Sequence, residues 1–380
     1  MRRLFMDHAA LVDAYYLGHA RVQRRLLQIP SRAHVASSAA LNARKHAGRK
    51  RKRQAELAAA GKFVAPPANL LRALTLVHAD LSTDAAPCST FEAHAPLTCV
   101  ASDDWRKPRA LRVSPDALLA NASDTVQLAA VRCETQLAFG DDGATPSDRD
   151  EQRVLLPPRC RFALGDVRRL QRYASALGRF QLIVMDPPWE NKSVERGKQY
   201  TTFHHSELLK VDVPALADPD ECVLGVWVTN RPQYTAFVLD TLLPRWGFQL
   251  HDTWYWLKVC ANGDLVTPLA STHRLPFEKL LVAYRSADPA QASRLRARLG
   301  ADPQVVVSVP LRHSWKPPPE RFFRGAIDAG RSARKLELFA RELRPDWTSV
   351  GNEVLKFQTT SLFDMCDDDA TGSRAASSED

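Results

Sequence analysis

The chain has 380 residues, 45% of them hydrophobic and 25% charged. These are ordinary globular proportions, and they exclude a wholly disordered, collagen-like or coiled-coil protein. The net charge of +9 is unevenly placed: residues 1–60 hold 13 Lys and Arg against 3 Asp and Glu, and the other 320 hold 39 against 40, so any grip on nucleic acid beyond the N-terminal segment must come from local patches.

Met1 to His8 lack the sustained apolar core of a signal peptide. The longest apolar runs, Leu182 to Met185 and Cys222 to Val228, fall far short of the roughly 20 residues that a bilayer span needs. A soluble, intracellular protein with no membrane contact is expected. The spacing of Leu11, Val12, Tyr15, Tyr16, His19, Val22, Leu26 and Leu27 predicts an amphipathic helix over 8–29. The run Arg49 to Arg53 lies in an Ala-rich stretch. It reads either as a solvated helix face or as a nuclear import signal or phosphate-binding patch, the second being the expectation; it points to the nucleus.

Residues 62–140 read as a small mixed domain and 140–150 as a polar linker with Gly and Pro. From about Arg153 short apolar strands are predicted at 161–164, 180–185, 222–229, 249–258, 280–284, 305–309 and 335–339, with helices at 231–243 and 289–299. This alternation argues for an α/β sheet with helical crossovers. The tail from Asp364 is acidic and Ser-rich, and disorder is expected there. The expected division is therefore a basic helical segment at 1–61, a small domain and linker at 62–150, the α/β domain at 151–361 and a tail at 362–380. Seven cysteines without a CxxC predict free thiols in a reducing compartment.

The most specific feature is Asp186-Pro187-Pro188-Trp189, directly after the apolar run FQLIVM. It stands where ligands bind in open α/β sheets, at the C-terminal end of a strand. The plain alternative is a proline-stiffened turn with an Asp cap. The chemical reading starts from the amine of adenine, a poor nucleophile that has to be held in line with a methyl donor. Asp186 can accept one of its N–H groups. A carbonyl of Pro187-Pro188, aimed by the locked φ of proline, can accept the other. Trp189 can stack on the base. Nothing here activates water, so the expected reaction is direct transfer by positioning and electrostatics. His204 and His205 are adjacent, but no Cys or carboxylate beside them completes a metal set, and no metal is expected.

DPPW after an apolar strand resembles the signature of the MT-A-seventy family of adenine-N6 methyltransferases, the m6A writers. DPPWENKS (186–193) with Tyr200, WVTNR (227–231), HSWKP (313–317), ELFAR (337–341) and WTSVGNEVLKFQ (347–358) follow in family order. Several of these forms look most like the branch called methyltransferase-like protein four. The resemblance covers about residues 155–360. It implies a Rossmann-like, S-adenosylmethionine-dependent domain with a smaller N-terminal domain, and S-adenosylmethionine as methyl donor. It also implies donor contacts at Asp166 and Val167 for the adenine, Asp186, and Lys316 for the methionine carboxylate. Arg341, Asn352 and Glu353 would hold the ribose hydroxyls, with Glu337 as a supporting acid.

On the acceptor side the candidates are Asn191, Lys192, Tyr200 as a lid residue, and Asn230, with Lys192, Arg196 and Lys198 suited to phosphates. Three positions depart from the branch: Glu342 stands for Asn, Asp346 for Gly and Val350 for Trp. The resemblance implies nucleic acid as partner, RNA favoured and DNA possible, with a monomer expected and heterodimers known in the family. A non-catalytic RNA-binding subunit, or a methyltransferase for small molecules or protein amines, are the competing readings.

Overall fold

The computed structural model describes residues 1–24, 66–81, 108–114, 117–133, 152–172, 174–190, 204–260, 263–269, 271, 275–327 and 333–365. The runs expected at 49–53, 140–150, 191–203 and 366–380 lie outside the described residues. The strands in chain order are β1 (Arg2–Phe5), β2 (Ala20–Val22), β3 (Arg109–Val113), β4 (Leu118–Asn121), β5 (Gln127–Cys133), β6 (Gln152–Leu156), β7 (Cys160–Leu164), β8 (Leu182–Met185), β9 (Glu221–Val228), β10 (Gln249–Lys258), β11 (Phe277–Ser286), β12 (Gln304–Ser308), β13 (Lys335–Leu338), β14 (Trp347–Gly351) and β15 (Phe363–Met365). Ten of them form one mixed sheet in the order β1-β12-β10-β11-β9-β8-β13-β14-β7-β4.

The apolar runs are continuous rather than alternating because both faces of this sheet are covered. In β8, Ile183 and Met185 face one core with Leu224, Val226 and Leu338, under Tyr234 and Val238 of the helical stretch 232–246. Leu182 and Val184 face the other, with Val223, Trp227 and Trp254, under Leu295 and Leu299 of the helix Pro289–Leu299. That helix is capped by Asp288, whose carboxylate accepts from the Gln291 N–H, and it ends at Gly300 with φ +91°.

Strands β9, β8, β13, β14 and β7 are parallel neighbours. The late strands β13 and β14 thus insert between β8 and β7. Parallel neighbours ordinarily need a crossover of a dozen or more residues; here only 339–346 connect them. The tight path takes Phe339 (φ 59°) and Asp346 (φ 63°) into the left-handed region. Gly351 is required by the same close approach: a Cβ there would lie 2.6 Å from the Ala340 carbonyl oxygen.

The N-terminal half differs from expectation. Among the described residues of that span, 8–24, helix covers His8–Asp13, followed by a 3-10 turn and β2, so this part of the periodicity read as one helix over 8–29 is divided between elements. Aspartate shapes that division: the Asp7 carboxylate caps the helix through the Ala10 N–H, and Asp13 accepts from the Val22 N–H. Residues 1–24 are built into the main fold. Strand β1 is its outer parallel edge, against β12, and β2 pairs with β15, so order continues to Met365, past the tail start expected at 362. Strand β4 adds antiparallel to β7, and Ala68–Leu81 packs Leu70, Leu74 and Val77 on Leu257, Val305 and Val307. Strands β3, β5 and β6 form a separate three-stranded sheet. Among the described residues the segment 62–150 is thus distributed over the large sheet and the small one. No described helix is long and apolar enough to cross a membrane.

Candidate active site

The C-terminal ends of β8, β13, β14 and β7 bring Asp186, Phe339 to Arg341, Asn352 with Glu353, and Asp166 to one edge of the sheet. Asp186, Lys316, Glu337 and Arg341 line one cleft together with Ser314, Trp315, Phe339, Glu342, Arg344 and Phe357. Asp186 is nearly buried, and its Oδ2 lies 2.8 Å from Arg341 Nη1 and 3.3 Å from Lys316 Nζ. Lys316 also reaches Glu278 at 2.8 Å, and Arg341 Nε donates to Glu353 at 3.0 Å. Charges held this closely away from water have to be paired. Burial lowers the Lys316 ammonium pKa, but Asp186 and Glu278 outweigh it and hold it above the ordinary lysine value. Burial raises the Glu278 carboxyl, yet Lys258 and Lys316 bring it well below the usual range. Ser314 (φ 66°) and Phe339 sit in left-handed backbone on opposite sides of the cleft, a strain that rigid surroundings hold at such sites.

The two prolines follow Asp186 at the mouth of the strand. The Trp189 N–H donates to the Pro187 carbonyl at 2.8 Å, which leaves the Pro188 carbonyl as the second acceptor in the expected adenine contact. Trp189 differs from its expected role. Its ring is buried in the core, stacked on Tyr234 at 4.8 Å, and its indole N–H donates to the Trp227 carbonyl at 2.8 Å. It is a structural anchor for the turn, not an open platform for a base. Asn230 donates to the Phe277 carbonyl at 2.9 Å, while its Oδ1 is buried and has no partner. Asn191, Lys192 and Tyr200 lie outside the described residues.

Asp166 faces Arg168, which binds both its oxygens at 2.6–2.9 Å and reaches Glu207 at 2.8 Å. Burial pushes the Asp166 carboxyl up, but Arg168 overcomes it and leaves it below the usual range. Val167 is buried, so only its backbone can meet a ligand. Glu337 is deep in β13 and paired with Arg344, which also contacts Glu342 at 2.8 Å. Glu337 therefore supports the cleft wall through Arg344. Asn352 is exposed, beside Glu353. Sequence reasoning missed Arg344 and Glu278, since neither stands in a motif and both act through pairings distant in the chain.

The three departures have physical accounts. Asp346 occupies the left-handed conformation that Gly adopts without penalty, and it is held by a two-pronged pair with Arg159 at 2.6 and 2.9 Å. Val350 fills the core over β8. Glu342 is buried, and burial pushes its carboxyl up to about 7 even though the Arg344 guanidinium pulls it down. Its Oε2 lies 2.8 Å from Arg344 Nη2.

The donor set suits the expected cofactor at its methionine end. A zwitterionic amino acid carries one ammonium and one carboxylate, and this cleft offers carboxylates (Asp186, Glu353) beside cations (Lys316, Arg341) for each. Arg341, Asn352 and Glu353 are placed together for hydroxyl groups. At the adenine end, Asp166 would share its oxygens with Arg168.

Fold and site together define a Rossmann-like α/β domain with a charged cleft over the C-terminal ends of its parallel strands. Residues 180–353 match the MT-A70 family model. The chain is 40% identical over 216 residues to the N(6)-adenine-specific methyltransferase METTL4 of Mus musculus, covering 56% of this chain and 45% of that protein. The N6-methyladenosine RNA methyltransferase MTA1 of Pyricularia oryzae is 33% identical over 233 residues, 59% of this chain and 60% of its own length. A DNA N6-methyl methyltransferase of Caenorhabditis elegans is 32% identical over 237 residues, 61% and 60%. These matches are consistent with the methyltransferase-like protein four branch, and the chain spans about half the length of METTL4.

Proposed function

We propose that the chain is an S-adenosylmethionine-dependent N6-adenine methyltransferase acting on nucleic acid, RNA in the first place. The observation that carries the reading is the Asp186 carboxylate at the end of β8, buried between Lys316 and Arg341 in a domain matched to MT-A70. When bound, the cofactor supplies an electrophilic methyl group. Lys316 would hold the carboxylate of the donor, which would weaken its pairing with Asp186. Asp186 and the Pro188 carbonyl then accept the two N–H groups of adenine and aim its lone pair. As the N–C bond forms, the methyl–sulfur bond of the donor would break and the amine would lose a proton, for which the Asp186 carboxylate is the acceptor already in contact; no water activation is required, and catalysis is positioning in a partly dry, charged cleft. Asn230, with its unpartnered Oδ1, is the described residue best suited to a further base contact.

The second reading is the same reaction on DNA. It is favoured by the name of the Caenorhabditis elegans relative, as RNA is by that of the fungal one. The basic run 49–53 supports nuclear import and a backbone grip. The test is incubation with labelled donor and separate RNA and DNA pools, followed by nucleoside mass spectrometry. Labelled N6-methyladenine nucleosides from RNA establish the first reading and from DNA the second, and their absence from both pools refutes the proposal.

A further inference from the structure

Glu190, which follows DPPW, lies outside the charged cleft and next to two histidines that sequence spacing left without a carboxylate. The fold supplies that carboxylate: Glu190 Oε2 is 3.2 Å from His205 Nδ1, and the His204 and His205 rings lie 4.2 Å apart. One ligand atom from each of Glu190, His204 and His205 lies within 4.8 Å of the other two. We propose that these three residues form a binding site for a divalent transition ion, Zn2+ in particular.

Two imidazoles and one carboxylate are the donor types that zinc takes, and a three-residue set leaves a fourth position open. Each donor is held from behind, as ligands of a working metal site are. The Glu190 carbonyl accepts from Tyr234 Oη at 2.8 Å and from Arg231 Nη1 at 3.0 Å, fixing the backbone that carries the carboxylate. His205 packs edge-on against Phe237 at 4.8 Å and Tyr234 at 5.6 Å. His204 Nδ1 lies 2.7 Å from Ser206 Oγ. That nitrogen also accepts from the Ser206 N–H at 3.3 Å, so the two contacts fix the orientation of the ring. Two atoms bound to one zinc at ~2.1 Å cannot be more than ~4.2 Å apart. Tetrahedral geometry brings such a pair to ~3.4 Å, so closing the set from within 4.8 Å moves side chains by up to ~1.4 Å, which χ rotation of the exposed His204 and the half-buried Glu190 provides. The ion would join residue 190 to residues 204 and 205, fixing the distance between the two ends of the segment 191–203 directly beside the DPPW turn. Nothing in this inference depends on the methyl-transfer reading.

The experiment is equilibrium dialysis of the untagged full chain against Zn2+, with Mg2+ as a control that prefers all-oxygen sites, read by elemental analysis and by thermal melting. About one Zn2+ per chain and a melting temperature that rises with Zn2+ but not with Mg2+ are expected. Glu190→Gln and His205→Gln should each weaken uptake at least ~100-fold, and Ser206→Ala, which removes the hydroxyl that orients the His204 ring, roughly 10-fold. Should the first two variants fold poorly, Ser206→Ala keeps the test intact, because that residue is no ligand. Zinc uptake below one per ten chains, or equal uptake by wild type and all three variants, would overturn the proposal and leave a plain His–carboxylate contact.

Discussion

Asp186 is placed to do two things in succession, since the carboxylate that would hold an adenine amine is already bound to Lys316 and Arg341. Asp186→Ala should abolish methyl transfer, with at least ~10²-fold loss, because a positioned polar contact made in the transition state is removed. A folded variant with wild-type turnover in the labelled-donor assay would remove Asp186 from the reaction.

Glu342 makes a separate prediction about pH. Its carboxyl is raised from the ordinary 4.5 to about 7, so the folded chain holds a proton that the unfolded chain has already lost across that window. Stability therefore falls as pH rises from about 4.5 through 7. His8 acts oppositely: burial, then the charge of Arg344, lower it to about 3, so its contribution rises with pH up to the ordinary 6.5. The two overlap, and the comparison has to be made as a difference. Melting curves of Glu342→Gln across pH 4.5–8 should lack the wild-type decline, whereas parallel curves for the two proteins would show that Glu342 does not titrate in this range.

At the scale of elements, the short connection 339–346 decides the shape of the charged cleft. It turns the chain back so that Arg341 leaves β13 facing Asp186, and Gly351 at the end of β14 lets that connection pass. Backbone, not a movable side chain, would meet an added Cβ at 2.6 and 2.8 Å. Gly351→Ala should therefore cost about 2–4 kcal/mol, above the usual ~1–3 for overpacking, and should lower donor affinity as well, because Arg341 moves with Ala340. Denaturant unfolding and donor calorimetry check both; an unchanged midpoint would show that the connection is free to relax. The DPPW turn is held in a comparable way from within. Trp189 stacks on Tyr234 and bonds to the β9 backbone, so its aromatic character serves the geometry of Asp186 and the two prolines. An aromatic residue beside a base-binding motif reads from sequence as a stacking partner, and burial is what assigns it to the core.

On the scale of the whole molecule, the N-terminus and the sheet cannot be separated. Strand β1 hydrogen-bonds along β12, and Val12, Tyr15 and Tyr16 share a core with Trp315, Phe357 and Phe363. Deleting residues 1–60 to test the basic segment would therefore remove an edge strand and part of a core. The sound experiment is to replace Arg49, Lys50, Arg51, Lys52 and Arg53 with Gln. If the run grips phosphates, nucleic-acid binding should weaken and the slope of log K against log salt should fall by about 0.7–0.9 per lost contact. Donor affinity should hold, since the donor motifs begin beyond residue 160. An unchanged salt slope would leave nuclear import as the role of the run.

Local patterns by themselves determined much of this protein. The strand Gln249–Lys258 and the helix Pro289–Leu299 form over the residues that the sequence marked, because apolar runs, an N-cap and a terminal glycine act within a few residues of one another. The placement of Asp186 at a strand end was legible for the same reason. Only tertiary structure decided which partners those residues meet. Asp186 meets Arg341 across 155 positions and Lys316 across 130, Glu190 meets His205, and Arg2–Phe5 joins β12 about 300 residues away. Such pairings depend on how the sheet orders its strands. A carboxylate in a sequence looks the same whether it ends beside a lysine, a histidine or water, and the free energy that separates those cases appears only when burial removes the water.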